Sequence, residues 1–258
     1  MKKIAFILMA AATLFTISCE KNEKGNGSGK EKDPKDPAEI TELNIEIDGD
    51  FADWLALPAS AYVKAETDPD VPWTAVDEIR VCADADYVYY YIRFNNDEGE
   101  ILRENDEMPI RLCINTDGEF TSGYANYFQE AYDFIVEGNL SDGAGKWTEY
   151  KGTMYQRLTS GWKDLLAPES GVVTGAGKDL EYEICLDKGI FSTGVQIETS
   201  AERNMAIGEV FHTGIRFYTL QWNEAKAKYD WEELSNMPND SEDDHYWGAL
   251  LEVKTFGK

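Results

Sequence analysis

Histidine is nearly missing from this chain: His212 and His245 are the only two among 258 residues. Neither stands in a CxxC or HExxH spacing, which disfavours zinc, and two isolated histidines do not make a triad. The chain also lacks a GxSxG elbow, a P-loop and a GxGxxG turn after a strand. Serine hydrolysis, nucleotide hydrolysis and dinucleotide chemistry thus lose their usual signatures, and no enzyme activity is expected. Paired carboxylates for glycoside cleavage are a distance in space, which an acidic sequence does not reveal. Positive charge is scarce as well, with 24 Lys and Arg against 49 Asp and Glu and a formal charge of −25. Such a chain repels polyphosphates, so no nucleic-acid partner is expected, whereas neutral ligands and cations are compatible with it. Beyond the first 18 residues there is no apolar run long enough to cross a membrane, no internal repeat and no second linker.

What is present begins with an address. Lys2 and Lys3 precede an almost unbroken apolar run from Ile4 to Ile17, the pattern of an export signal. Thr16-Ile17-Ser18-Cys19 then resembles the lipobox of bacterial lipoproteins, which implies cleavage before Cys19 and acylation of its thiol. Several acyl chains, at about 0.8 kcal/mol per buried methylene, would make that membrane anchor effectively permanent. From Glu20 to Ala38 no large apolar side chain occurs, so the segment reads as a flexible tether. The charged run Glu20 to Lys24 resembles the surface-export signals of some Gram-negative lipoproteins, and a solvated linker explains it equally well. The expected organisation is a signal peptide over 1–18, a lipidated tether over 19–39 and one domain over 40–258. The expected location is the outer membrane, lipid-anchored, at the cell surface or otherwise on the periplasmic face. With Cys19 lipidated, Cys82, Cys113 and Cys185 remain, an odd number that rules out a complete disulfide framework.

The domain shows period-two alternation and turn residues almost throughout. Ile47-Asp48-Gly49-Asp50-Phe51-Ala52-Asp53-Trp54 opens it: a strand ends, Asp48-Gly49 turns, and Asp53-Trp54 brings an aromatic back to the core. Ile79, Val81 and Ala83 share a face before the turn Asp84-Ala85-Asp86 leads into Tyr87 to Phe94, the clearest hairpin. Met108 to Asn115 alternates again and closes on Asn115-Thr116-Asp117-Gly118. Further strands are expected at Tyr132 to Val136, Trp147 to Tyr150, Met154 to Leu158, Leu180 to Leu186, Val210 to Trp222 and Trp247 to Val253. Short helices are expected around Asn223 to Tyr229 and Tyr124 to Glu130. About ten short strands predict an all-β fold, a single antiparallel β-sandwich.

These motifs carry a family likeness. Ile47-Asp48-Gly49 with Asp53-Trp54, then Asp77-Glu78-Ile79-Arg80-Val81 and the hairpin ending in Tyr87-Val88-Tyr89-Tyr90-Tyr91-Ile92, resemble the opening of family 9 carbohydrate-binding modules and their DOMON-like relatives. Ile114 to Gly118 with Tyr132 to Gly138 is similar to a later segment of that superfamily. The likeness spans roughly residues 40 to 190, as single β-sandwich domains of this size allow. It implies a β-sandwich that works beside glycan-degrading machinery, and in several members structural calcium. The region from Ile197 to His245 matches no pattern of the family.

Alternation also sorts the faces. If Ile79, Val81, Tyr90, Ile92, Ile110, Leu112 and Ile114 point to the core, then Arg80, Tyr87, Tyr89, Tyr91, Arg93 and Arg111 collect on the opposite face of three consecutive strands. Planar guanidinium groups and aromatic rings there suit a polar, neutral ligand such as an oligosaccharide. The alternative is a solvated sheet face, its cross-strand pairs each worth on the order of 0.2–1 kcal/mol. Trp73, Trp147 and Trp162, in loops or after Gly/Ser-rich stretches, are the candidates for stacking on sugar, while Trp54, Trp222, Trp231 and Trp247 read as packed. For calcium, Asp117 and Asp133, with Asp48, Asp50 and the acidic stretch 239–244, offer hard oxygen ligands without EF-hand spacing. Two functions follow: a non-catalytic glycan-binding surface lipoprotein, or a structural lipoprotein whose Arg/Tyr face contacts subunits of an outer-membrane complex.

Overall fold

The computed structural model describes residues 43–96, 99, 103, 107–118, 120, 123, 131–158, 161–166, 173–192, 206–240 and 250–256. After a short helix, α1 (Ala52–Ala56), come β1 (Val63–Glu66), β2 (Val76–Ala83), β3 (Tyr87–Phe94), β4 (Glu107–Asn115), β5 (Phe134–Asp142) and β6 (Thr153–Leu158). They are followed by β7 (Gly161–Leu166), β8 (Val173–Lys178), β9 (Glu181–Asp187), β10 (Val210–Asn223), β11 (Lys228–Met237) and β12 (Leu251–Lys254). One sheet has the order β1-β2-β3-β9-β8; the other runs β11-β10-β4-β5-β6-β7, with β12 also on β10. All these pairings are antiparallel, and the fold is the expected all-β sandwich.

The core follows from the alternation. Register rows such as Ile79, Ile92 and Tyr182 in the first sheet face rows such as Leu112, Val136 and Met154 in the second, and all six side chains are buried. Each large apolar side chain so enclosed contributes about 1.5–3 kcal/mol of transfer free energy. Tyr90 crosses the core and shares a 2.9 Å hydrogen bond with the Thr213 hydroxyl, which itself donates to the Cys113 carbonyl at 2.8 Å. This satisfies the phenol inside the apolar layer and ties the two sheets together.

One expected strand and one expected helix need correction. Trp147–Tyr150 is irregular chain with a bridge from Trp147 to Ser141, because Tyr150 turns inward and donates to the Val136 carbonyl at 3.0 Å. Aromatic bulk there also explains the glycine-rich strand β8, invisible to a hydrophobic pattern: a Cβ on Gly175 would stand 2.7 Å from the Tyr150 Cβ. Asn223–Tyr229 is no helix. Asn223 ends β10, Glu224 to Ala227 form the turn and Lys228 and Tyr229 begin β11, with the Lys226 N–H donating to Asn223 Oδ1 at 3.1 Å and Ala227 at a φ of 48°. The expected helix Tyr124–Glu130, the anchor Cys19, Trp247 and the Trp162 side chain lie outside the described residues.

The Arg/Tyr face is the main correction. Strands β2, β3 and β9 form one sheet, but β4 pairs with β5 and β10 in the other. Arg80, Arg93, Tyr89 and Tyr91 therefore lie on one outer surface of the sandwich and Arg111 on the opposite one. Alternation reports whether a side chain points in or out; it carries no information on which sheet a strand joins.

The outer surface of the first sheet is also largely occupied. Leu43, Ile45, Phe51, Trp54 and Ala61 pack onto Cys82, Tyr89 and Tyr91 in a second apolar cluster. Its polar centre is Glu183 on β9, fully buried, which accepts the N–H groups of Asp48 at 2.9 Å and Gly49 at 2.8 Å and the indole N–H of Trp54 at 3.1 Å. Asp48 and Asp53 order the same turn by accepting the N–H of Asp50 and of Glu46, each at 2.8 Å. The acidic-aromatic motif that opens the domain is thus a clamp holding a coil and α1 over the sheet.

Candidate functional site

The outer face of the second sheet is built differently. Across its central strands, Arg216 on β10 pairs with Arg111 on β4, and Arg111 with Glu137 on β5. Arg111 donates from Nε to Glu137 at 2.5 Å and from Nη1 to the Tyr218 hydroxyl at 3.0 Å. Its guanidinium carbon lies 4.8 Å from the Tyr218 ring centre and 5.2 Å from that of Trp231. Arg216 is buried, donates to Glu233 at 3.1 Å and lies 5.5 Å from the Tyr132 ring centre. Two arginines and two glutamates so interleaved leave the face locally near neutral in a strongly acidic protein. Planar cations stacked on rings are also held in fixed directions, with little rotamer freedom left to lose on binding.

Burial pushes the Tyr218 phenol well up, so it stays protonated and presents a hydroxyl at any physiological pH. Burial likewise raises Glu233, with Arg216 and then Arg111 opposing the shift.

Beside this lattice lies an open cleft of about 370 Å³, within the size range of small-ligand sites. Glu137, Gly138 and Asn139 of β5, Thr153 and Tyr155 of β6, the loop residues Thr148, Glu149 and Lys151, and Trp231 of β11 line it. Trp231 is 37% exposed and Tyr155 half-buried, so two aromatic surfaces border carboxylates, amides and hydroxyls. That mixture can stack on the apolar face of a sugar ring while bonding its hydroxyls.

Of the residues that the sequence nominates, only Arg111 belongs to this lattice. Arg80 is paired with Glu78 at 2.6 Å and lies between the rings of Tyr62 and Tyr91, with 5.0 and 5.1 Å to their centres. Arg93 lies 3.7 Å from Asp77 and 3.6 Å from Glu78, and Tyr89 and Tyr91 are buried beneath the opening segment. Trp73 is half-buried with its ring centre 5.3 Å from that of Phe217. Trp147 stands 5.2 Å from Phe94 and 5.4 Å from Tyr182, and its indole N–H donates to the Asp179 carbonyl at 2.9 Å. Both indoles pack against the main core, and neither lines the cleft beside Trp231.

Asp117 and Asp133 flank the turn after β4, where Asp133 accepts the Thr116 N–H at 3.0 Å and its hydroxyl at 3.2 Å. Among the described residues no three His, Cys, Asp or Glu side chains gather as a metal site.

The site residues that sequence reasoning missed are Trp231, Tyr218, Tyr155, Arg216, Glu137 and Glu233. Alternation in Tyr218-Thr219-Leu220-Gln221-Trp222 and again in Tyr229-Asp230-Trp231, around a turn of Asn, Glu, Ala and Lys, was the available signal. It marks a two-stranded ribbon with its aromatics on one side. Compared with known proteins, the chain matches no family model and no curated protein significantly.

Proposed function

We propose that this chain is a non-catalytic, glycan-binding lipoprotein, carried at the outer membrane by acylation of Cys19 and holding a neutral oligosaccharide in the cleft beside Trp231. The observation that carries this reading is Trp231 itself: an indole more than a third exposed, steadied by Arg111 and Tyr218, facing a wall of amide, hydroxyl and carboxylate groups. An exposed aromatic with convergent polar groups favours a sugar ring over an apolar metabolite, and the acidic chain disfavours an anionic one. The likeness of residues 40 to 190 to family 9 carbohydrate-binding modules and DOMON-like domains points the same way.

The competing reading, a structural lipoprotein docking through its Arg/Tyr face, has a smaller surface to use, since Tyr89 and Tyr91 are covered by the domain's own opening segment while Tyr87 and Arg93 stay exposed. Affinity electrophoresis of the intact protein in gels of neutral polysaccharides tests the proposal. Retardation by at least one polymer, abolished by Trp231→Ala, is expected. Free migration in xylan, mannan, β-glucan and starch alike would remove the reading.

A further inference from the structure

The cleft does not end at Trp231. The register of β10 with β4 stops at Phe217, whereas its register with β11 continues from Tyr218 to Asn223. The last part of the hairpin therefore extends past the sheet as a ribbon. Opposed residues in an antiparallel pair share a face, so Trp231 opposite Leu220 and Tyr229 opposite Trp222 lie on the side of Tyr218 and the cleft. Trp222 is 53% and Tyr229 61% exposed, their ring centres 5.1 Å apart in an edge-on pair. Two indoles and a phenol are thus left to water on one side of the ribbon, Trp222 and Tyr229 side by side across the strands and Trp231 next along β11. Positions 229 and 231, two residues apart in the strand, add roughly 7 Å to the platform. That is more than one sugar ring needs.

We infer that the site takes the interior of an extended, neutral glycan chain, with further sugar units lying along Trp222 and Tyr229 beyond the unit at Trp231. This rests on the proposed glycan-binding function and adds a length requirement to it: an open cleft continued by an aromatic strip selects a run of sugars and leaves the chain ends free.

Calorimetric titration of the full-length protein in detergent with di- and hexasaccharides of β-1,4-linked glucose, xylose and mannose and α-1,4-linked glucose tests it. In the series that binds, the hexasaccharide should bind about tenfold tighter than the disaccharide, an increment within the range for aromatic contacts of this kind. Trp222→Ala should remove about five- to tenfold of hexasaccharide affinity and leave the disaccharide constant unchanged. Tyr229→Ala serves as an independent variant of the same strip, with circular dichroism to verify its fold. Equal affinities for the two lengths, or equal losses at both lengths in Trp222→Ala, would overturn the length requirement while leaving the glycan site standing. Absence of binding by every probe at either length would remove both.

Discussion

Glu183→Gln is the most informative single change, because the clamp over the first sheet converges on that carboxyl. In the native protein one oxygen accepts two backbone N–H groups, at 2.9 and 2.8 Å, and the other accepts the Trp54 indole at 3.1 Å. Glutamine keeps one acceptor and turns the other into an NH₂, which must face a donor whichever way the amide is flipped. A buried donor left unpaired costs about 1–3 kcal/mol, so the variant should be less stable than the native protein by that amount at about pH 5. A second effect opposes it. Burial pushes the Glu183 carboxyl up to about 7 against an ordinary 4.5, in spite of its three donors. The folded state then holds the proton more tightly than the unfolded state. Its contribution to stability is fully present below the unfolded value and is lost as the pH rises through the folded one. Two to three pH units at about 1.4 kcal/mol each amount to roughly 3 kcal/mol over that window. Urea unfolding followed by tryptophan fluorescence from about pH 5 to about pH 8 should therefore show the gap between native and variant narrowing or reversing as the pH rises. All other carboxyls titrate in both proteins, so the difference isolates Glu183. Parallel pH profiles would refute the reasoning and mean that the donors outweigh burial.

Trp231→Ala should lower affinity for the bound glycan at least about tenfold, as loss of a central aromatic anchor does. Its thermal midpoint should shift by only a few degrees, because the indole is more than a third exposed. Arg111→Lys keeps the charge but cannot bond Glu137 and Tyr218 together; calorimetry should show about five- to tenfold weaker binding, with stability changed by less than about 1 kcal/mol. Gly138→Ala places a methyl group 2.6 Å from the Tyr150 ring in the fully buried centre, and should lower unfolding free energy by about 1–3 kcal/mol in urea titration.

Much of the sandwich is legible in the chain because burial leaves a period-two trace. Ile79, Val81, Tyr90, Ile92, Ile110 and Leu112 alternate with outward-facing residues such as Arg80, Tyr89, Tyr91 and Arg111 and are all buried in one core. Trp54, read from its turn as a core residue with a bonded indole, is that; its acceptor, Glu183, stands 129 positions away and leaves no local signal. The link between β10 and β11 reads as helix from Asn223 to Tyr229, since that stretch contains good helix formers and lacks the Asn-Gly or Gly-Gly turn that usually marks a ribbon.

The sequence by itself determined the strand alternation and the strongly acidic composition, each a property of composition or of near neighbours. Tertiary structure alone decided that β4 leaves the sheet of β2 and β3, that residues 43–62 cover Tyr89 and Tyr91, and that Arg111 meets Tyr218 and Trp231 on the outer face of the other sheet. The physical reason is that pleating encodes the parity of each side chain, inward or outward. Which strands become neighbours, and which outer face stays open, depends on the total burial achieved by segments more than a hundred residues apart.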